Sequence, residues 1–206
     1  VTAVGAGVTG VSVGDRVASC FFQDWTDGAC SPEAMASALG GALDGVLAEE
    51  TVLKASGVVP VPAHLSTLEA ATLPCAALTA WNALVEVGRL KAGDTVLLLG
   101  TGGVSIFALQ FATAMGARVI LTSSSDAKLE RARAMGAAET VNYKTTPEWQ
   151  KAVLDLTGGR GVDVTVEVGG PGTLARSVDA TRVAGRIVLI GVLTGGWGQL
   201  ALLVLF

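Results

Sequence analysis

From residue 95 onward, apolar runs alternate with amphipathic stretches in a regular rhythm. Short, nearly all-apolar runs predict strands at 95–99, 118–122, 139–141, 163–168 and 186–190, and segments of helical period fall between them at 104–115, 126–135, 147–156 and 173–181. Within the first helix, Val104, Phe107, Ala108, Phe111 and Met115 follow the i, i+3, i+4, i+7, i+11 spacing of one buried face. Four β-to-α-to-β steps in succession predict a parallel sheet with helices on both faces, and the right-handed crossover rule makes it doubly wound. Upstream the pattern differs. Valine runs separated by glycine, with Gly14-Asp15 as a tight connection, predict an antiparallel hairpin, and "EETVLKASGVVPVPAHLS" predicts one more short strand closed by Pro60 and Pro62. The stretch "SPEAMASALGGALDGVLA" fits a short helix or an irregular loop equally well. Ser66 followed by Glu69 has the spacing of a capping box, so a helix starts there and breaks near Pro74. The chain thus divides into 1–65, partly antiparallel β, and 66–206, a doubly wound α/β domain.

Composition narrows this picture. Half of the 206 residues are hydrophobic, enough for a sizeable core, and 27 glycines scattered between apolar runs suit tight strand-to-helix turns. A net charge of −4 with no basic block argues against nucleic acid. Three scattered cysteines, Cys20, Cys30 and Cys75, without a CxxC pair, exclude a four-thiolate zinc site within the chain and point to reduced thiols and a cytoplasmic setting. The uncharged stretch 187–206 has the length of a membrane span, but glycines and Gln199 interrupt it and its first half reads as a buried strand, so no membrane is expected.

The chemistry concentrates where strand "TVLLLG" runs into Gly100-Thr101-Gly102-Gly103 and a helix follows. Glycines let a pyrophosphate approach the backbone without meeting a Cβ, and the free N–H groups at the helix start attract it. Ser105 stands where the third glycine of the GxGxxG pattern belongs; its small size predicts an altered helix–strand contact with the site kept. After the second strand, where an NAD site wants a carboxylate for the ribose hydroxyls, the chain has Ser123, Ser124 and Ser125. Hydroxyls would donate to a 2′-phosphate that a carboxylate would repel, and Lys128 would add a positive charge, so NADP(H) is favoured over NAD(H). Ser125 or Asp126 would serve equally as a helix cap, and Asp126 turned back to the ribose would instead favour NAD.

These residues resemble the medium-chain dehydrogenases/reductases, in particular the zinc-type alcohol dehydrogenase-like and quinone oxidoreductase-like branch. "AGVTGVSVGDRV" is similar to a hairpin of that family's GroES-like catalytic domain, "EAATLPCAALTAWNAL" to the helix joining its domains, and "GDTVLLLGTGGVSIFALQFATAMGARVI" to its cofactor-binding core. "VNYKT", "LTGGRGVDVTVEVGGPGTL" and "AGRIVLIGVLTG" resemble its later strands and loops. The resemblance implies that Gly100, Gly102, Gly103 and Val104 hold the pyrophosphate, and that Ser123 stands where NAD-preferring members have Asp. Lys128 and Tyr143 would contact the 2′-phosphate, and Thr79 would lie near the nicotinamide end. Val168 and Gly169 would flank the ribose, and Gly191, Val192 and Leu193 would meet the carboxamide. It places Cys75 at one zinc-ligand position of the zinc alcohol dehydrogenases; the chain offers neither of the other two ligands, so Cys75 reads as a packing residue and no metal site is expected. His64 reads as a surface residue.

Measured against the same family, the first half of the catalytic domain, the final Rossmann strand and the C-terminal return are missing, and "GGWGQLALLVLF" departs from the pattern. The expectation is an NADP(H)-dependent oxidoreductase passing a hydride to or from a carbonyl, enone or quinone, without catalytic zinc and without an assignable catalytic residue. Its partners would be the dinucleotide, a small carbonyl or alcohol substrate and, at full length, further copies of itself. An NAD(P)-dependent zinc alcohol dehydrogenase and a non-catalytic NADPH-binding module remain the alternatives.

Overall fold

The computed structural model describes residues 1–199 and divides the chain into two compact units, the first being Val1–Cys75 and the second beginning at Ala76. In the first unit regular structure is sparse. β1 (Val17–Ser19) pairs antiparallel with β2 (Val58–Pro60), which follows a 3-10 turn at Ala55–Gly57. The expected hairpin about Gly14-Asp15 does not form. Gly14 turns with a φ of 95° and its N–H reaches the carbonyl of Val1, but the strand beyond the turn finds its partner some forty residues away instead of in the preceding valines. Gln23 anchors this pairing: it is buried and its amide donates to the carbonyls of Cys20 and Gly57. The undecided alanine-rich stretch contains one helical turn, α1 (Pro32–Met35), capped by Ser31, and continues as irregular chain. α2 (Thr67–Ala70) carries the expected capping box between Ser66 and Glu69.

The helical run continues into the second unit through a π-turn at Leu73–Ala77, which contains Pro74, a residue without an N–H to donate. It then passes through α3 (Leu78–Trp81) and a second π-turn at Asn82–Val87. By length and composition alone, Thr67–Val87 would reach across a bilayer; Ala80, Ala83 and Leu84 are buried in the core of the second unit. Beyond it come β3 (Thr95–Leu99), α4 (Gly103–Ala114), β4 (Arg118–Ser123), α5 (Asp126–Ala134), β5 (Glu139–Asn142), α6 (Trp149–Leu156), β6 (Val162–Glu167), α7 (Pro171–Ala180) and β7 (Thr181–Leu189). All adjacent pairs are parallel, in the order β5-β4-β3-β6-β7. This is the doubly wound α/β arrangement expected, with the chain reversing its direction of travel across the sheet between β3 and β6.

Period-two alternation along β3 divides the core. Val96 and Leu98 join Ala108, Leu109 and Ala112 of α4 on one face, while Leu97 and Leu99 join Trp149 and Val153 of α6 on the other. The buried face of α4 differs from the one its spacing suggested. Ser105, Ala108, Leu109 and Ala112 are fully buried, and Val104, Phe107, Phe111 and Met115 pack only partly against the core. The helix is apolar almost all round, so periodicity left its rotation open, and close approach to the sheet selected the small side chains.

Among the described residues β7 lies at the edge of the sheet, and it is not the buried strand read from 187 onward: Val183 and Leu189 are exposed and only Val188 is buried. The rest of the apolar stretch considered as a membrane span, 200–206, lies outside the described residues.

Candidate functional site

β3 delivers the chain to Gly100, which adopts a φ of 75° that disfavours any side chain. Gly102 is different. Its backbone is extended (φ −77°, ψ 175°), and a Cβ built on it would meet nothing within 4 Å. Neither strain nor packing requires glycine there, and the space in front of its backbone is open. Gly102 is also the N-cap of α4, and among the described residues no side chain caps that helix, which leaves its first N–H groups without the partner a cap supplies. Ser105 fills its place differently from a glycine: it is buried, and its hydroxyl donates to the carbonyl of Leu99 at 2.7 Å, tying α4 to the end of β3. The altered helix–strand contact expected from Ser105 is this bond.

Along the carboxyl ends of the strands lies a cavity of about 380 Å³, bordered by Gly100, Thr122, Tyr143, Gly169, Thr173 and Arg176. It sits outside the carboxyl edge and spans the β3/β6 crossing, where open α/β sheets take their ligands. Of the residues singled out from sequence, Gly100, Tyr143 and Gly169 come together here, with Val168 and Leu193 beside them. Lys128 lies elsewhere, in a hollow of about 130 Å³ with Thr101 and Arg131. The glycine loop borders both, through Gly100 on one side and Thr101 on the other. Val192 is exposed and its Cα lies close to Gly170, and Thr79 is half-buried on α3.

The three serines separate. Ser123 is buried, its Oγ within 3.4 Å of the Thr101 hydroxyl and accepting from the Ser125 N–H, so its side chain faces the glycine loop. Ser124 is half-buried. Ser125 occupies the N-cap position of α5 without a capping bond from its side chain. Asp126 does not stand free either: it accepts from the amide of Asn142 at 2.7 Å. Cys75 is exposed rather than packed, as is His64, and among the described residues no three His, Cys, Asp or Glu side chains converge on a possible metal position.

Sequence reasoning passed over several residues of the site. Arg176 and Thr173 project from α7 and carry no distinguishing signal in a helix of mixed character. Glu167 did carry one, as the lone acidic residue near the end of the apolar run "VTVEV". It is fully buried and accepts from the N–H groups of Gly169 and Gly170 in the turn that borders the cavity.

Comparison with known proteins bears on this arrangement. Residues 1–63 match the family model of the alcohol dehydrogenase GroES-like domain, and residues 103–203 that of the zinc-binding dehydrogenases. A zinc-type alcohol dehydrogenase-like protein of Schizosaccharomyces pombe is 49% identical over 190 residues, which are 91% of this chain and 55% of that protein. A solved structure from Sinorhizobium meliloti, provisionally described as an alcohol dehydrogenase, superposes with a TM-score of 0.91 at 46% identity over 99% of this chain and 60% of its own. An NAD-dependent alcohol dehydrogenase superposes with a TM-score of 0.83 at 39% identity, over 95% and 59% of the two chains. The chain thus spans somewhat more than half the length of the relatives it matches.

Proposed function

From the premise that this chain belongs to the medium-chain dehydrogenase/reductase family, we propose that it carries the dinucleotide site of an NADP(H)-dependent oxidoreductase acting on a carbonyl, enone or quinone without catalytic zinc. The observation that carries the dinucleotide reading is Gly102, a glycine required neither by its backbone angles nor by its neighbours, at the uncapped start of a twelve-residue helix. When bound, the dinucleotide supplies the hydride. The residues of the chain bind and orient it: Gly100 to Val104 grip the diphosphate, and Val168, Gly169 and the 191–193 turn, with Thr79, hold the nicotinamide end.

The preference for the phosphorylated cofactor rests on the residues at and beyond the end of β4. Ser123, turned toward Thr101, contributes by keeping a carboxylate out of this position; Lys128, in the hollow beside Thr101, and Ser124 are the groups available to an extra phosphate on that side of the glycine loop, and Tyr143 is available on the other. Calorimetric titration with NADPH and NADH tests this directly. Tighter binding of NADPH, by about tenfold or more, is expected, since charge-assisted hydrogen bonds to a phosphate contribute on this scale. Failure of both to bind at millimolar concentration overturns the dinucleotide reading; tighter NADH binding overturns only the preference. Turnover of the full-length protein with a quinone and enone panel then tests the substrate class.

The likeness to an NAD-dependent alcohol dehydrogenase favours one second reading, an NAD(P)-dependent zinc alcohol dehydrogenase. Cys75 would be a ligand in it, and metal content of the full-length protein decides the matter.

A further inference from the structure

β6 carries a second carboxyl that the binding reading leaves unused. Glu167 is fully buried, in a strand whose every residue is buried. A charged group in such a place is costly unless its lone pairs are taken up. They are: Oε1 accepts from the Gly169 N–H at 2.6 Å, the Gly170 N–H at 3.1 Å and the Thr173 hydroxyl at 2.6 Å, and Oε2 accepts from the Ser177 hydroxyl. All four partners donate; an apolar residue of the same size would strand the two amides and the Ser177 hydroxyl and leave the Thr173 hydroxyl only its longer bond to the Gly170 carbonyl, at 3.2 Å.

Two of those donors are consecutive amides of the turn that walls the cavity, and the same turn is held from its other side. The Gly169 carbonyl accepts from the Thr194 N–H at 2.8 Å and from its hydroxyl at 2.7 Å, while the Thr194 oxygen accepts from the Gly172 N–H at 2.8 Å. There is no slack at the centre of this clasp, since a Cβ on Gly169 would come within 2.2 Å of the Thr173 hydroxyl oxygen.

We propose that Glu167 is a positioning residue for the cofactor: by gripping the Gly169 and Gly170 amides it holds the Val168–Gly169 wall of the cavity in the shape the dinucleotide needs. The inference rests on the reading that this cavity takes a dinucleotide. It separates binding from general stability, because β6 supplies its own control. Asp163, at the opposite end of the strand, is also buried and fully bonded, to Arg160, Arg182 and the Thr95 N–H, but borders no part of the cavity.

The experiment compares the chain with its Glu167→Gln, Thr173→Val and Asp163→Asn variants by NADPH and NADH titration, thermal melting and amide exchange. Glu167→Gln is expected to weaken the preferred dinucleotide about tenfold and to speed exchange at Gly169 and Gly170: the one oxygen that remains is a neutral and weaker acceptor for the two amides, and the new NH2 meets the Ser177 hydroxyl that donated to Oε2. Thr173→Val, which removes one donor from the carboxylate, is expected to weaken binding by a smaller factor and decides the matter if the glutamine variant does not fold. Asp163→Asn is expected to lower the melting temperature while leaving the dissociation constant unchanged. The proposal is overturned if Glu167→Gln and Thr173→Val bind as the parent does, or if Asp163→Asn weakens binding as much as Glu167→Gln. A parent chain that binds neither dinucleotide overturns the functional reading instead; exchange at Gly169 and Gly170 then still decides whether Glu167 positions the turn.

Discussion

At the scale of single residues, the glycine loop separates what the fold needs from what a ligand needs. Gly100 takes a φ of 75°, so a side chain there strains the backbone, whereas Gly102 has ordinary angles and open space around it. Gly102→Ala is therefore expected to leave thermal stability within about 0.5 kcal/mol of the parent, as substitutions at unconstrained surface positions do. Dinucleotide affinity should fall at the same time, because the new methyl occupies the approach to the helix N-terminus. Melting and titration of the one variant check both halves, and an unchanged affinity would remove the main support for the diphosphate site. Ser105 shows the reverse case. It looked from sequence like a weakened glycine pattern, yet its buried hydroxyl bonds the Leu99 carbonyl and locks α4 to β3.

At the scale of elements, β7 holds a local conflict. Between its pairing of Thr181 with Val162 and of Arg186 with Val164 the register jumps, and Ala184 takes a φ of 58° within the irregularity. Replacing Ala184 by glycine relieves a left-handed alanine at some cost in chain entropy, so a net gain of about 0.5–1 kcal/mol is expected in denaturant unfolding. The same strand shows where sequence reasoning stops. The alternation of apolar runs with amphipathic segments located all five parallel strands and the four helices between them, with every boundary except the start of β7 placed to within about two residues, because each βαβ step is written locally in the chain. The start of β7 at Thr181 was not legible, since it depends on a bulge and on Arg182 reaching Asp163. The misplaced hairpin has a similar cause: Gly14-Asp15 carries a sound turn signal, but Val17–Ser19 pairs with Val58–Pro60 far along the chain, where the buried Gln23 amide also reaches the Gly57 carbonyl. For the site, Gly100, Tyr143 and Gly169 were readable as motif positions and do share the cavity. Arg176, Thr173 and the clasp on Glu167 arise from packing between α7 and β6, which no spacing in the sequence records.

For the molecule as a whole, the second unit is organised about β6, which pairs with β3 on one side and β7 on the other and bears a buried carboxyl at each end. The carboxyl-terminal end holds Glu167 and the cavity; the amino-terminal end holds Asp163, where Arg160 from the preceding turn, Arg182 from β7 and the Thr95 N–H of β3 converge. Burial alone would raise the pKa of Asp163, but the hydrogen bonds from Arg160, Thr95 and Arg182 outweigh it and hold the carboxyl well below the ordinary carboxylate range. With a folded-state pKa beneath the unfolded one, the network's contribution is complete above the unfolded value, near pH 4, and drains away as the pH falls toward the folded value. Asp163→Asn should therefore be less stable than the parent by about 3 kcal/mol at pH 7, the usual cost of leaving a buried ion pair half-made. The gap should narrow steadily below about pH 4, as protonation brings the parent toward the variant. Unfolding curves for both chains between pH 7 and pH 2 give the answer: a gap that stays constant with pH would mean the arginines stabilise β6 by packing rather than by charge.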